Sequence, residues 1–398
     1  MIVARNHRIV LGVTGGIAAY KTPSLVRLFQ KNSVEVKVVC TRAALMLVAQ
    51  QALSVVSGHT VYVDEPARDF DMAHVSLAKW GDFLLVCPAT ADTIAKIAHG
   101  IADNLLTTLA LSFEKRLVIA PAMNTAMWLN RATQENVALL TGRGAFVLPV
   151  DEGDLACGDT GPGRLLAPET IVDFMLSLAS PRCLVNKKVL VSSGPTHEPI
   201  DAVRYIGNRS SGKMGAALAR AAMLAGARVT LVSGPSPTPP PPGVRLITVT
   251  TAAEMLAVLE KEFDETDVCI MAAAVADFRP ARRIEGKKHR DHQASWDLTF
   301  VPNPDIAEHL GGRKTRQFLA CFSLETGDDL ASPLEKMKRK KCDLMIINTT
   351  DASLELDSTE VRIVSLDASV EHLPRQSKKS AAAHIMERIA QQLGVSHG

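Results

Sequence analysis

Two α/β domains, each built on a doubly wound parallel sheet, are predicted by three features of the sequence. Short apolar runs alternate with helical stretches through the first half, a helix breaks at Ser180-Pro181, and the alternation restarts near residue 187. The 398 residues suit two or three domains at roughly 100 to 200 residues each.

The elements follow in order. Arg8 to Val13 reads as a strand because its apolar run is continuous, as in a strand covered on both faces. Ala18 to Lys31 reads as a helix and Val34 to Cys40 as a strand. Ala43 to Val63 lacks Asp, Glu, Lys and Arg and would just span a bilayer by length. Gln50, Gln51, Ser54, Ser57, Gly58, His59 and Thr60 interrupt it, so a helix, a turn and a strand are predicted instead. Phe83 to Cys87 and Leu117 to Ala120 read as strands around a helix from Ala91 to His99. A helix from Pro168 to about Ala179 stops where the residue before a proline avoids helical geometry.

In the second half Lys188 to Ser192, Val229 to Val232 and Val268 to Ala273 read as strands, with helices at Ser211 to Ala225 and Ala252 to Phe263. The expected division is residues 1–180, a linker at 181–186, and residues 187–398. Pro235 to Pro242 reads as a stiff surface loop between strands, with an SH3-type ligand as the sharper alternative.

Lys plus Arg number 44 against 42 Asp plus Glu, so no global field draws the chain to nucleic acid or an acidic membrane. Hydrophobic residues make up 47% and charged ones 22%, which excludes disorder over most of the length. Seven cysteines form no C-x-x-C pair and their odd number leaves a thiol free, which fits a reducing cytosol. MIVARNHRIVLGV carries no long apolar core before a cleavage site. A cytoplasmic protein without a membrane segment is expected.

The first predicted strand runs into TGGIAAYK, a glycine turn that points backbone N–H groups at a phosphate. Gly12, Gly15 and Gly16 miss the G-x-G-x-x-G spacing, and Thr41 and Arg42 stand where a dinucleotide site needs an acid. A mononucleotide is favoured over NAD, and by itself the turn is equally compatible with no ligand. MAHVSLAKW, PAMNTAMW and ACGDTGPGR each set one reactive or polar side chain, His74, Asn124 or Cys157, among small residues and breakers. Taken singly, these are an ordinary histidine, a helix cap and an inert thiol.

Together and in order, over about residues 7 to 178, the three segments resemble the flavin-dependent cysteine decarboxylases, with a catalytic histidine, a PxMNxxMW clamp and an ACGxxGxGR flap. The resemblance implies a flavodoxin-like or Rossmann-like domain binding FMN through Gly15, Gly16 and Ile17, through Thr41, through Thr90, Ala91, Asp92 and Thr93, and near Ala122. It also implies an active site between subunits of a trimer. A carboxylate beta to a plain thiol has no electron sink, so oxidation at the carbon bearing sulfur must precede loss of carbon dioxide. By that resemblance His74 is the base, Asn124 holds the substrate carboxylate without adding charge, and Cys157 returns a proton under a closing, glycine-rich lid.

GNRSSGKM comes within one residue of a P-loop, but Met214 stands where a hydroxyl should meet magnesium and no buried strand immediately precedes Gly207. VRYIGNRSSGKMG, MAAAVADF, GKKHR, NPDI and FSLET instead resemble the phosphopantothenate–cysteine ligases, a Rossmann-like domain. The two halves in this order resemble the bacterial bifunctional enzymes of coenzyme A synthesis. These join phosphopantothenate to cysteine through an acyl-cytidylate made from CTP, then decarboxylate the product to phosphopantetheine.

The resemblance carries CTP contacts onto Ala273, Asp277, Lys287, Pro304, Asp305, Ile306, Ala307, Phe322, Lys336 and Lys340, with Arg204 and Asn208 holding the acyl-cytidylate. Lys336 and Lys340 are four apart on a predicted helix whose start, Ser332-Pro333-Leu334-Glu335, has the capping-box pattern; a solvated basic helix end is the plainer alternative. Mg2+ is expected with CTP, with no protein ligands assigned. Trimers of the first half and dimers of the second would combine into a dodecamer. His289 and Arg290 replace lysines of the family's basic loop, Ser323 and Leu324 alter the segment beside Phe322, and Asn104 replaces an aspartate. Two other classes remain: a flavin-binding regulatory protein without turnover, and an NAD-dependent oxidoreductase.

Overall fold

The computed structural model describes residues 7–63, 72–154, 160–180, 182–287, 296–325, 331–349 and 356–395. The chain divides into two compact units, Met1–Ala179 and Ser180–Gly398.

The first unit is a six-stranded parallel sheet ordered Tyr62–Val63, Glu35–Cys40, Arg8–Val13, Phe83–Ala89, Arg116–Pro121, Phe146–Val147. Numbered along the chain this is 3-2-1-4-5-6, the Rossmann order rather than the flavodoxin order. Strand Phe83–Ala89 is buried at every residue because helices cover both faces. One face packs Leu11, Leu25 and Phe29, the other Val10, Leu84, Ile94 and Leu109. Burying each of these side chains contributes about 1.5 to 3 kcal/mol.

The predicted helix over 18–31 is two pieces, a 3-10 turn Ile17–Lys21 and an α-helix Thr22–Gln30. Pro23 explains the change: it has no N–H and suits only a first α-helical turn. Helix Ala91–His99 has the predicted bounds, capped by the Thr90 side chain and ended by Gly100 at φ 69. The interrupted stretch before Val63 forms helices Arg42–Leu45 and Gln50–Ser57 and the edge strand Tyr62–Val63.

The second unit repeats the order with Arg245–Thr248, Arg228–Ser233, Lys188–Ser193, Val268–Met271, Phe318–Glu325 and Leu344–Thr349. Two antiparallel strands, Ser358–Ser365 and Val370–Ser377, extend the sheet. Helix Ala252–Phe263 begins with a capping box of Thr251 and Glu254. Within the segment expected as a linker, Leu184 is fully buried in this unit's core and its N–H donates to Ala225 O, whereas Arg182, Val185 and Asn186 are exposed. Two short antiparallel ribbons, His197–Pro199 with Tyr205–Gly207 and Phe278–Pro280 with Phe300–Pro302, follow the carboxyl ends of the central strands. Among the described residues no helix is long and apolar enough to cross a membrane.

Candidate active sites

In a 3-2-1-4-5-6 sheet the order reverses between the first and fourth strands, and ligands lie beyond the carboxyl ends there. In the first unit the flanking loops are tied by Thr14, which is buried. Its Oγ1 donates to Pro88 O at 2.6 Å and accepts the Thr90 N–H at 3.1 Å. A cavity of about 750 Å³ opens beside them, lined in part by Gly15, Gly16, Ile17, Thr90, Ala122 and Asn124. A Cβ on Gly16 would stand 3.4 Å from Thr90 Cγ2 and 3.7 Å from Ala122 O, ordinary contact distances, so the two loops approach each other closely at this glycine.

Four expected cofactor residues do not line this cavity. Thr41 caps helix Arg42–Leu45 through the Ala44 N–H. Ala91, Asp92 and Thr93 form the first turn of helix Ala91–His99, where Asp92 pairs with Lys96 at 3.3 Å and the Thr93 N–H is taken by the Thr90 side chain. Lys21 and Arg164 do line it, and among the described residues no carboxylate does. Both stand in segments singled out from the sequence, TGGIAAYK and ACGDTGPGR, where being the only cations was the signal available.

Asn124 caps helix Thr125–Leu129, its Oδ1 accepting the Met127 N–H at 2.8 Å. That bond fixes the amide, so Nδ2 is the end left to donate. The clamp also carries the hairpin Asp151–Asp154 with Thr160–Arg164: the Met123 N–H donates to Gly163 O at 3.0 Å. Gly163 is required there, because φ is 139 and a Cβ would stand 2.4 Å from Met123 O. Cys157 lies outside the described residues, between the two strands of this hairpin. His74 sits in the first turn of helix Ala73–Trp80 and is not part of the cavity lining. Burial pushes the Cys40, Cys87 and Cys269 thiols up to about 12, which removes them from proton transfer near neutral pH.

In the second unit the reversal lies between Lys188–Ser193 and Val268–Met271. Ser192 Oγ accepts the N–H groups of Ala272 and Ala273 at 3.1 and 3.2 Å, and Thr196 Oγ1 that of Ala276 at 3.0 Å. These bonds set the loop that holds Ala273 and Asp277. Asn208 joins the same loop, its Nδ2 donating to Val275 O at 2.8 Å. The exposed Lys287 follows Gly286, whose carbonyl accepts the Ala202 N–H at 2.9 Å. Residues 288–290 and Thr326 lie outside the described residues.

Pro304, Asp305, Ile306 and Ala307 lead into helix Ile306–Arg313, capped by Asp305. Lys340 Nζ lies 2.9 Å from Asp305 Oδ2, and Lys336 Nζ lies 2.7 Å from Glu325 Oε1 on the strand that carries Phe322. Burial is the largest single influence on the Asp305 carboxyl and would raise it, but the hydrogen bonds from Lys340 and the Glu308 N–H and the charges of Lys340 and Arg339 together hold it below the ordinary value. Glu325 is likewise pushed up by burial and held low by Lys336, Ser323 and Arg362 acting together. Each lysine therefore already has a carboxylate partner. The expected start at Ser332 is not observed: the helix spans Ala331–Arg339, with Ser332 inside it, and Lys340 lies just beyond, its N–H still donating to Lys336 O. Among the described residues no group of three or more His, Cys, Asp or Glu is arranged to hold a metal.

Comparison with known proteins accounts for both units. The Flavoprotein family matches residues 3–180, and the DNA/pantothenate metabolism flavoprotein C-terminal domain matches residues 184–393. The chain is 42% identical to the coenzyme A biosynthesis bifunctional protein CoaBC of Vibrio vulnificus strain YJ016, covering 98% of each chain. It is 42% identical to the CoaBC protein of Escherichia coli K12 over 86% of each, and 38% identical to that of Mycobacterium bovis over 96% of each.

Proposed function

The chain belongs to the family of coenzyme A biosynthesis bifunctional proteins, and from that premise we propose how its two units divide the work. The protein is a phosphopantothenate–cysteine ligase and a phosphopantothenoylcysteine decarboxylase on one chain. In our reading residues 1–180 decarboxylate, residues 187–398 ligate, and 181–186 join them.

Ligation comes first. A carboxylate is a poor acyl donor because oxide is a poor leaving group. Attack of the phosphopantothenate carboxylate on CTP releases pyrophosphate and gives an acyl-cytidylate; the cysteine amine then displaces CMP. Lys287, Lys336 and Lys340 counter the triphosphate charge, the last two by exchanging a carboxylate for a phosphate. Ala273, Asp277, Phe322 and the segment Pro304, Asp305, Ile306, Ala307 form the rest of the nucleotide site, and Mg2+ accompanies the triphosphate. Arg204 and Asn208 hold the acyl-cytidylate for transfer.

In the first unit the cavity size and its lining by the glycine turn Gly15-Gly16 fit FMN. When bound, FMN supplies the electron sink that the cysteinyl substrate lacks. Gly15, Gly16, Ile17, Thr90 and Ala122 would line it, with Thr41, Ala91, Asp92 and Thr93 setting the neighbouring loops. Asn124 Nδ2 donates to the substrate carboxylate and orients it. His74 takes a proton from substrate at a ring nitrogen, and Cys157 Sγ gives one to the carbon that loses carbon dioxide. Ile17, Tyr20 and Met127 in the cavity lining are each more than two-fifths exposed, which supports a subunit contact there, with His74 serving a neighbouring copy. A trimer at this contact and a dimer of the second unit make the dodecamer. Five buried free thiols support work in the reducing cytoplasm.

The observation that carries the reading is Asn124: its fixed amide faces the same cavity as the glycine turn. The test supplies purified protein with phosphopantothenate, cysteine, CTP and Mg2+. Pyrophosphate, then carbon dioxide and phosphopantetheine, are expected in equal amounts; a yellow protein that releases neither gas nor pyrophosphate would instead be the regulatory flavoprotein.

A further inference from the structure

Beyond those assignments, we propose that Asp201 is a positioning residue of the ligase, fixing the guanidinium of Arg204 against the face of Trp296. Three observations support it. The Asp201 side chain is 0% exposed although it lies in a short connection between two ribbon strands. Its Oδ1 accepts the N–H groups of Val203 and Arg204, both at 2.7 Å, while Oδ2 lies 3.3 Å from Arg204 Nη1. On the other side the guanidinium carbon stands 5.3 Å from the centre of the Trp296 ring.

A buried carboxylate is costly unless it is hydrogen-bonded and paired, so a residue needed only to close a turn has no reason to bury a full charge. An uncharged Asn side chain would accept the same two backbone N–H bonds. Arg204 meets that charge directly. One donor of the fork is drawn to Oδ2 and the plane is set by the ring, yet the side chain is 42% exposed and reachable by a ligand. The turn is also closed from the other direction, since Arg204 O accepts the N–H of Ile200 at 2.9 Å. Strand Tyr205–Gly207 then runs directly to Asn208, so the two residues assigned to the acyl-cytidylate stand at the two ends of one strand. Fixing Arg204 fixes its separation from Asn208 before substrate arrives.

The inference rests on the assignment of Arg204 given above, and the experiment separates the two. Asp201→Asn keeps the turn and removes the charge. In the full-length protein, with pyrophosphate release and phosphopantothenoylcysteine formation measured, it should raise KM for phosphopantothenate or slow transfer to cysteine by about tenfold to a hundredfold. In an Arg204→Gln background the same change should cost less than about twofold, because the residue it positions is gone. Equal losses in both backgrounds would show a merely structural role and overturn the proposal. Parent-like ligation by Asp201→Asn beside a slowed Arg204→Gln would overturn it while sparing the Arg204 assignment. Parent-like ligation by Arg204→Gln would overturn both. If Asp201→Asn melts early, Trp296→Ala leaves the turn bonds intact and must show the same dependence on Arg204.

Discussion

Asn124 and Met127 are joined by a cap in which the side-chain oxygen takes the backbone N–H at 2.8 Å, and this local helix signal also orients the amide proposed to hold the substrate carboxylate. An aspartate accepts the same N–H but presents a second oxygen where the amide presents donors. Asn124→Asp should therefore melt at the parent temperature while carbon dioxide release falls by about a hundredfold or more, the usual cost of losing a well-placed donor. Parent-rate decarboxylation would remove Asn124 from the substrate clamp.

Gly163→Ala should detach the hairpin from the clamp. A Cβ there would stand 2.4 Å from Met123 O at a φ of 139, a strain of order 1 to 3 kcal/mol that only local opening relieves. Decarboxylation should fall while flavin content, read from the visible spectrum, stays at the parent level.

Thr14→Val keeps the shape of a buried residue and removes both hydrogen bonds that tie Pro88 and Thr90 to the first loop. Leaving those backbone groups unpaired should cost about 1 to 3 kcal/mol. Denaturant unfolding should show that loss, and flavin affinity should weaken with it because both loops border the cavity.

Lys287→Gln and Asn208→Asp should divide the ligase reaction. The first removes a charge needed to meet the triphosphate and should stop pyrophosphate release. The second exchanges the donor to Val275 O for a carboxylate oxygen and disturbs the loop of Ala273 and Asp277, so acyl-cytidylate should accumulate. Chromatography of quenched reactions distinguishes them, and identical profiles would refute the division.

The pair of Asp305 and Lys340 predicts a pH dependence. The folded carboxyl titrates below its unfolded value of about 3.9, so its contribution is complete above that value and is lost as the pH falls through the folded pKa. For this partly exposed pair the contribution is about 1 kcal/mol or less. Lys340→Gln should thus be destabilised at pH 7 and converge with the parent in acid. It should also bind CTP more weakly at pH 7, measured by titration calorimetry.

Much of this was legible in the sequence because the fold is periodic. The continuous apolar run Ile9-Val10-Leu11 and the Thr90 and Gly100 boundaries of one helix depend on neighbours along the chain alone. Asn124 was legible as a cap, and its place in the cavity lining with Met123 and Met127 follows from the same short segment. Less was legible where contacts are remote. Lys21 and Arg164 meet at one cavity only through the sheet, and the pairing of Lys336 with Glu325 and Lys340 with Asp305 joins a helix end to two separate elements. The antiparallel strands Ser358–Ser365 and Val370–Ser377 carry charged residues on their open side and gave no apolar run to read.

Leu184 bears on how the halves can be separated. Because it fills a socket beside Ala225, a carboxyl-terminal fragment beginning after it would expose an apolar hole and aggregate, whereas one beginning at Arg182 retains its own plug. Fission of the gene is therefore tolerable only on the amino-terminal side of that leucine.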